Sequence, residues 1–183
     1  MPDAVPIRPA LVRPATVADV PAMHSAINQH AELGRMLFKS YAQLYENIRN
    51  YAVAEVDDEV VGTAALAVIW RDLAEIRSLA VDAAHVGKGL GGQLTRWTLD
   101  EARRLNIRRV MSLTYEQAFF EKYGFVVVEM SSLPLKVWSD CVRCPKKDAC
   151  DEIAMVATLE DVEPVPGPSA PATPKGVSIP VLP

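Results

Sequence analysis

Four glycines fall within the six residues Gly87-Lys88-Gly89-Leu90-Gly91-Gly92, between an apolar stretch and an amphipathic one. Glycine has no Cβ, so its backbone N–H groups can turn inward and approach a ligand closely. Where such a run opens a helix, the donors and the helix dipole converge on one point, which suits a phosphate or diphosphate. The plain alternative is a glycine-rich turn. No string G-x-x-x-x-G-K-[ST] occurs, which removes a phosphoryl-transfer loop of that kind. Gly87, Gly89 and Gly92 do match G-x-G-x-x-G. However, residues 82–86 separate them from the preceding strand, and one parallel crossover is too few for a doubly wound dinucleotide fold.

A second cluster with chemical potential is Cys141-x-x-Cys144 followed by Cys150. Two thiols at that spacing reach one tetrahedral metal, and Cys150 is a candidate third ligand of a structural zinc. The alternatives are reduced free thiols or a redox pair. His24 and His30 lie six residues apart, not at the four-residue spacing of a helical metal pair, and read as ordinary histidines.

These groups must be carried by a framework that the hydrophobic pattern outlines. Strands are expected at 10–13, 51–56, 60–69, 73–81, 107–113, 125–129 and 152–159. Helices are expected at 16–31, 40–50, from the glycine run to about 105, and over 119–123. Thr16 with Asp19, and Ser40 with Gln43, have the spacing of helix-capping pairs, and Gly34 can end the first helix. The order β-α-α-β-β-β-α-β-α-β-β is a mixed α/β sheet with one strand–helix–strand unit around the glycines. Half of the 14 prolines fall in residues 161–183, which predicts an extended, disordered tail. Residues 1–8 read as a flexible arm and 9–160 as the folded domain. The 183-residue chain is 50% apolar with a formal net charge of −4. That is globular composition, and mildly acidic chains are poor nucleic-acid binders on charge alone. No apolar run approaches a membrane span, and residues 1–14 lack the apolar core of a signal peptide, so a cytoplasmic location is expected.

Two separated motifs resemble those of the GNAT acyl-CoA-dependent N-acyltransferases. The phosphate loop [QR]-x-x-G-x-[GA] is similar to Val86-Gly87-Lys88-Gly89-Leu90-Gly91, with Val in the first place. The aromatic segment F-[FY]-E-K-x-G-F is similar to Phe119-Phe120-Glu121-Lys122-Tyr123-Gly124-Phe125. Further strings, among them Asp72-Leu73-Ala74-Glu75-Ile76-Arg77-Ser78-Leu79-Ala80-Val81, resemble the short single-domain bacterial N-acetylglutamate synthases over about residues 15–160. The resemblance implies a GNAT fold: a mixed, mostly antiparallel sheet with one parallel unit and helices on both faces. It also implies acetyl transfer from acetyl-CoA to the α-amine of L-glutamate, the first step of arginine biosynthesis, by direct attack. The amine must be neutral to attack, so a base helps.

By that resemblance Glu75 is the base. The backbone of Leu79, Ala80 and Val81 binds the pantetheine arm as an added strand would. The phosphate loop comprises Val86, Gly87, Lys88, Gly89, Leu90, Gly91 and Gly92. The general acid of the superfamily is a Tyr at the place of Phe120, which has no proton to give. Tyr115 and Tyr123 are the nearby phenols, with Tyr115 preferred, or else the thiolate leaves unassisted. Two substrate carboxylates call for cations, and Arg77, Lys39 and Lys136 are the candidates. Read singly, each is an ordinary solvated charge. The partners implied are small molecules, with no nucleic acid and no membrane; a homodimer is left open. The competing readings are another acceptor, such as glutamine, and a non-catalytic acyl-CoA sensor.

Overall fold

The computed structural model describes residues 10–134, 146 and 150–167. Its strands are β1 (Leu11–Pro14), β2 (Tyr51–Val56), β3 (Glu59–Trp70), β4 (Leu73–Val81), β5 (Arg109–Thr114), β6 (Val126–Val127) and β7 (Ile153–Thr158). Its helices are α1 (Val20–Glu32), α2 (Tyr41–Glu46), α3 (Leu90–Arg104) and α4 (Gln117–Glu121). The strands form a seven-stranded sheet in the order β1-β2-β3-β4-β5-β7-β6. β4 and β5 run parallel, joined by the crossover that contains α3. β1–β2, β2–β3, β5–β7 and β6–β7 are antiparallel. This is the mixed α/β architecture, and the element order, that the hydrophobic pattern predicts.

Local chemistry explains most boundaries. The Ser40 hydroxyl accepts from the Gln43 backbone N–H at 3.2 Å, and the Gln43 side chain accepts from the Ser40 N–H at 2.9 Å. That reciprocal pair starts α2. Gly34 takes φ +69° just past α1, where a left-handed residue ends a helix. The β2–β3 hairpin turns through Asp57 and Asp58, both with positive φ, as a two-residue turn requires. The helix expected to run to about 105 ends at Arg104, and Leu105 just beyond it is 49% exposed.

The chain divides into two compact units. The first comprises Met1–Ala65 and Arg77–Thr98. Here Val53 of β2 joins Val20, Met23 and Ile27 of α1 and Leu44 of α2 in one cluster. Ala52 and Ala54, on the other face of β2, join Leu90 and Leu94 of α3 in another. Alternate side chains of a strand point to opposite faces, so β2 is covered on both sides by helices. Leu94 is fully buried, and truncating such a residue to Ala costs about 2–5 kcal/mol.

The second unit comprises Leu66–Ile76 and Leu99–Pro183. Its core joins Ile69, Leu73, Met111, Leu133 and Ala154. Phe120 of α4 meets Phe125 edge-on, with ring centroids 5.1 Å apart. After β7, Val162 is buried and its carbonyl accepts from the Arg108 guanidinium at 2.6 Å. The Arg71 guanidinium donates to the carbonyl oxygens of Val165 and Gly167. These contacts fall on the first residues of the stretch expected as a tail; residues 168–183, like 1–9, lie outside the described residues.

Candidate active site

β4 carries the first half of the site. Its parallel ladder with β5 pairs Leu73 with Arg109, Ala74 with Val110 and Glu75 with Met111. The pairing ends there, at the carboxylate singled out from the sequence. Glu75 is 7% exposed, and a carboxylate is seldom so buried unless its charge is compensated. Arg77, two residues on, is half-buried. Ser78 then takes φ +51°, a left-handed conformation that a non-glycine residue adopts only where its surroundings impose it. The strand thus breaks its regular course immediately before Leu79, Ala80 and Val81. The side chain of Ala80 is buried, while Leu79 and Val81 are half-buried. The carbonyl of Val81 accepts from His30 Nε2 of α1 at 2.9 Å, and the Asp82 N–H donates to the Val61 carbonyl at 2.9 Å. The end of β4 is therefore held from the helix and from β3.

The glycine run follows a short 3-10 turn at Ala83–His85. Gly87 and Gly89 both adopt left-handed φ, +83° and +82°, and a Cβ at either would meet open space. Steric room is thus available, and backbone conformation is what calls for glycine there. Alternation of left-handed residues with ordinary ones lines up successive N–H groups into an anion-binding concavity. Leu90, Gly91 and Gly92, expected as loop, are the first turn of α3. The first N–H bonded back along the helix is that of Gln93, to the Gly89 carbonyl at 3.1 Å. The N–H groups of Leu90, Gly91 and Gly92 belong to the first turn, whose donors have no intrahelical acceptor. Glycine is tolerated at this position because the turn needs few helical bonds. The Leu90 side chain meanwhile is 3% exposed and anchors the turn in the core. A nest of donors at the positive end of a fifteen-residue helix fits the diphosphate of a coenzyme A molecule.

Tyr115 directly follows β5 and is 36% exposed. Its hydroxyl donates to Asp151 Oδ1 at 2.8 Å and accepts from Lys146 Nζ at 3.1 Å. Burial pushes the phenol above its ordinary range; the Lys146 ammonium opposes that shift and the Asp151 carboxylate adds to it. Glu152, next along the chain, is also pushed up, by burial first and by Asp151 second. Phe120 is 4% exposed and packed among Phe119 and Phe125, so the aromatic motif here builds core.

Of the cations expected at the acceptor, Arg77 and Lys39 are half-buried, and Lys136 lies outside the described residues. Lys39 is held through its backbone: its N–H donates to Asn28 Oδ1 and its carbonyl accepts from Asn28 Nδ2, each at 3.0 Å. The cysteine reading falls largely outside the described residues, since Cys141 and Cys144 do so; Cys150 is exposed, with Sγ 3.9 Å from Glu152 Oε2. Among the described residues no group of three or more His, Cys, Asp or Glu side chains is placed to hold a metal ion. Nothing described therefore supports the zinc expectation.

Comparison with known proteins gives the family of the chain. The family model "Acetyltransferase (GNAT) family" matches residues 21–125. An uncharacterized N-acetyltransferase of Chlorobaculum tepidum is 38% identical over 155 residues, covering 85% of this chain and 100% of that protein. The chain belongs to the GNAT acetyltransferase family. As a GNAT enzyme it is an acetyl-CoA-dependent N-acetyltransferase. An amino-acid acetyltransferase of Mycobacterium tuberculosis is 39% identical over 137 residues, 73% of this chain and 78% of that protein. A solved M. tuberculosis structure in complex with CoA superposes with a TM-score of 0.71 at 33% identity, over 81% of this chain and 99% of that one. The N-acetylglutamate synthase of Neisseria gonorrhoeae, complexed with coenzyme A and N-acetyl-glutamate, gives a TM-score of 0.75 at 26% identity. This GNAT chain covers only 36% of that longer protein, and 84% of its own length is matched.

Read alone, the sequence assigns no structural part to Ser78, His30 or Asn28, which shape or hold the segments described above. The string Arg77-Ser78-Leu79 carries no turn signal, and His30 reaches Val81 across 51 positions of sequence. Among local signals, only the i, i+4 spacing of His24 and Asn28, which places both on one face of α1, hinted at a polar network.

Proposed function

We propose that this GNAT enzyme transfers the acetyl group of acetyl-CoA to the α-amine of L-glutamate. The observation that carries the reading is the course of β4. A buried carboxylate stands where the β5 ladder ends, a half-buried arginine follows it, and then comes the strand end that leads into the glycine nest. The amino-acid acetyltransferase relatives supply the acceptor class.

Bound acetyl-CoA supplies an activated carbonyl carbon and a thiolate leaving group. Gly87 and Gly89 to Gly92 hold its diphosphate through backbone N–H groups and the α3 N-terminus, while the backbone of Leu79, Ala80 and Val81 pairs with the pantetheine arm. Val86 and Lys88 complete the loop, Lys88 adding a cation. A backbone N–H at the end of β4 polarises the carbonyl. Glu75 takes a proton from the substrate ammonium through water. The neutral nitrogen then attacks the carbonyl carbon, the C–N bond forms and the C–S bond breaks. Tyr115 delivers a proton to the departing sulfur, and the second proton that the nitrogen loses passes through water and restores the phenol. Arg77, Lys39 and Lys136 hold the two carboxylates of glutamate, Arg77 as a planar fork and the lysines as point charges. The reading carries with it a place at the start of arginine biosynthesis and a cytoplasmic location.

A steady-state assay with acetyl-CoA and a panel of amino acids tests it. Turnover with glutamate at the highest kcat/KM is the expected result. Preference for glutamine or another amine overturns the glutamate assignment, and CoA binding without any turnover overturns catalysis.

A further inference from the structure

We infer that Asn28 is the positioning residue of the acceptor site: its carboxamide fixes the backbone of Lys39, so that the lysine meets the substrate carboxylate in one place. The inference rests on Lys39 being an acceptor-binding cation, as proposed above. Both backbone polar groups of Lys39 are satisfied by this one side chain, at 3.0 Å each. A carboxamide can do this because it carries an acceptor and a donor side by side, as the edge of a strand does. The second Nδ2 hydrogen goes to His24 Nε2 at 2.9 Å, which makes that nitrogen an acceptor and places the His24 proton on Nδ1. The His24 ring stacks on Tyr41, centroids 4.1 Å apart and planes 11° from parallel. The amide therefore cannot rotate without breaking three bonds.

Burial alone does not hold this connection between α1 and α2. Leu33 is 69% exposed and Phe38 60%, while Met36 is the residue of the connection that packs on the core. The polar pin at Lys39 does what apolar contacts would do elsewhere. On its other side, the chain is fixed at once by the Ser40–Gln43 capping pair. Fixing the backbone on both sides of the Lys39 Cα sets where its side chain starts and the direction in which it leaves the chain, which narrows the volume its ammonium can reach, and a misplacement of about 1 Å is costly in a substrate clamp.

The test is a double-mutant cycle in the full chain, read with acetyl-CoA and the acceptor that the panel identifies. N28A is expected to raise the KM for the acceptor about tenfold and to change that for acetyl-CoA less than twofold. N28D keeps an acceptor for the Lys39 N–H but has no donor for its carbonyl; it is expected to fall between, and it carries the test if N28A does not fold. In a K39M background, changing Asn28 is expected to add nothing to the acceptor KM. Multiplicative effects in the double variant, or equal rises in both KM values, overturn the role of Asn28 while leaving Lys39 in place. An acceptor KM unchanged by K39M instead overturns the assignment of Lys39, and the inference with it.

Discussion

His30 donates from Nε2 to the carbonyl oxygen of Val81 at 2.9 Å, joining α1 to the last residue of β4. A carbonyl has no proton to give, so the Nε2 nitrogen carries the hydrogen. The strand end that is proposed to pair with pantetheine is thus held by a helix, not only by its neighbour strand. H30A removes the donor and leaves the Val81 carbonyl to water. A net hydrogen bond is worth about 1 kcal/mol, so coenzyme A affinity is expected to fall about fivefold. Isothermal titration with coenzyme A reads this directly, and unchanged affinity would separate His30 from the cofactor strand.

Glu75 is expected to govern the chemical step. E75Q preserves shape and removes the base. The expected result is a fall in kcat of about 100-fold, with coenzyme A affinity unchanged by titration. Full turnover in E75Q would assign its burial to folding alone.

Tyr115 gives a prediction with a definite pH sense. Its phenol is held above the ordinary tyrosine range, chiefly by burial, so it stays protonated through neutrality. As a proton donor it therefore imposes no alkaline fall in kcat near neutral pH. Y115F should lower kcat about 100-fold across the profile without moving its acid limb. A kcat within twofold of the parent would mean that the thiolate leaves unassisted, as its ordinary pKa of about 8–9 permits.

The parts of this GNAT fold that repeat along the chain were legible beforehand. β2 and β4 begin and end where their apolar patterns do, because short-range pleating and burial decide them. The start of α3 was not: glycine disfavours helix interiors, and Gly91 and Gly92 read as loop. They sit instead in a first turn where the helical bonds have not yet begun. Ser78 was invisible for a different reason. Its left-handed φ falls three residues past the last pair of β4 with β5, a place that no local sequence signal marks. The Asn28–Lys39 pin spans eleven positions of sequence and leaves no periodic trace. Candidate site residues thus came from family resemblance, while the contacts that hold their segments emerged only from the fold.

Gly62 of β3 is a position where close approach demands glycine. A Cβ there would stand 3.1 Å from the Ala80 carbonyl oxygen and 3.3 Å from both Leu94 Cδ1 and Val81 Cγ2. A methyl group presses on backbone that cannot yield cheaply, and overpacking of this sort costs about 1–3 kcal/mol. G62A is expected to lower the melting temperature by several degrees. Because the strain falls on Ala80 and Val81, coenzyme A affinity should also drop, and added coenzyme A should raise the melting point of G62A less than that of the parent. An equal rise in both proteins would confine the effect to the core.

Acid stability turns on Asp19. Its carboxylate accepts from Arg13 Nη1 at 2.8 Å and Nη2 at 2.9 Å, and from the Thr16 N–H at 2.7 Å. Arg13 also reaches Glu55 at 2.7 Å, tying β1 to β2 and to the start of α1. The Arg13 bonds, with help from Thr16 and against the cost of burial, hold the Asp19 carboxyl at about 2 rather than 3.8. A depressed carboxyl pKa favours the folded state above the unfolded pKa, and the contribution fades as pH falls through the folded one. The shift corresponds to about 2 kcal/mol, present in full above about pH 5 and gone below about pH 2. D19N should therefore be less stable than the parent by about that amount at pH 7, with the gap closing between pH 4 and pH 2. Urea denaturation at stepped pH measures it, and a gap that stays constant down to pH 2 would show that shape rather than charge accounts for the loss.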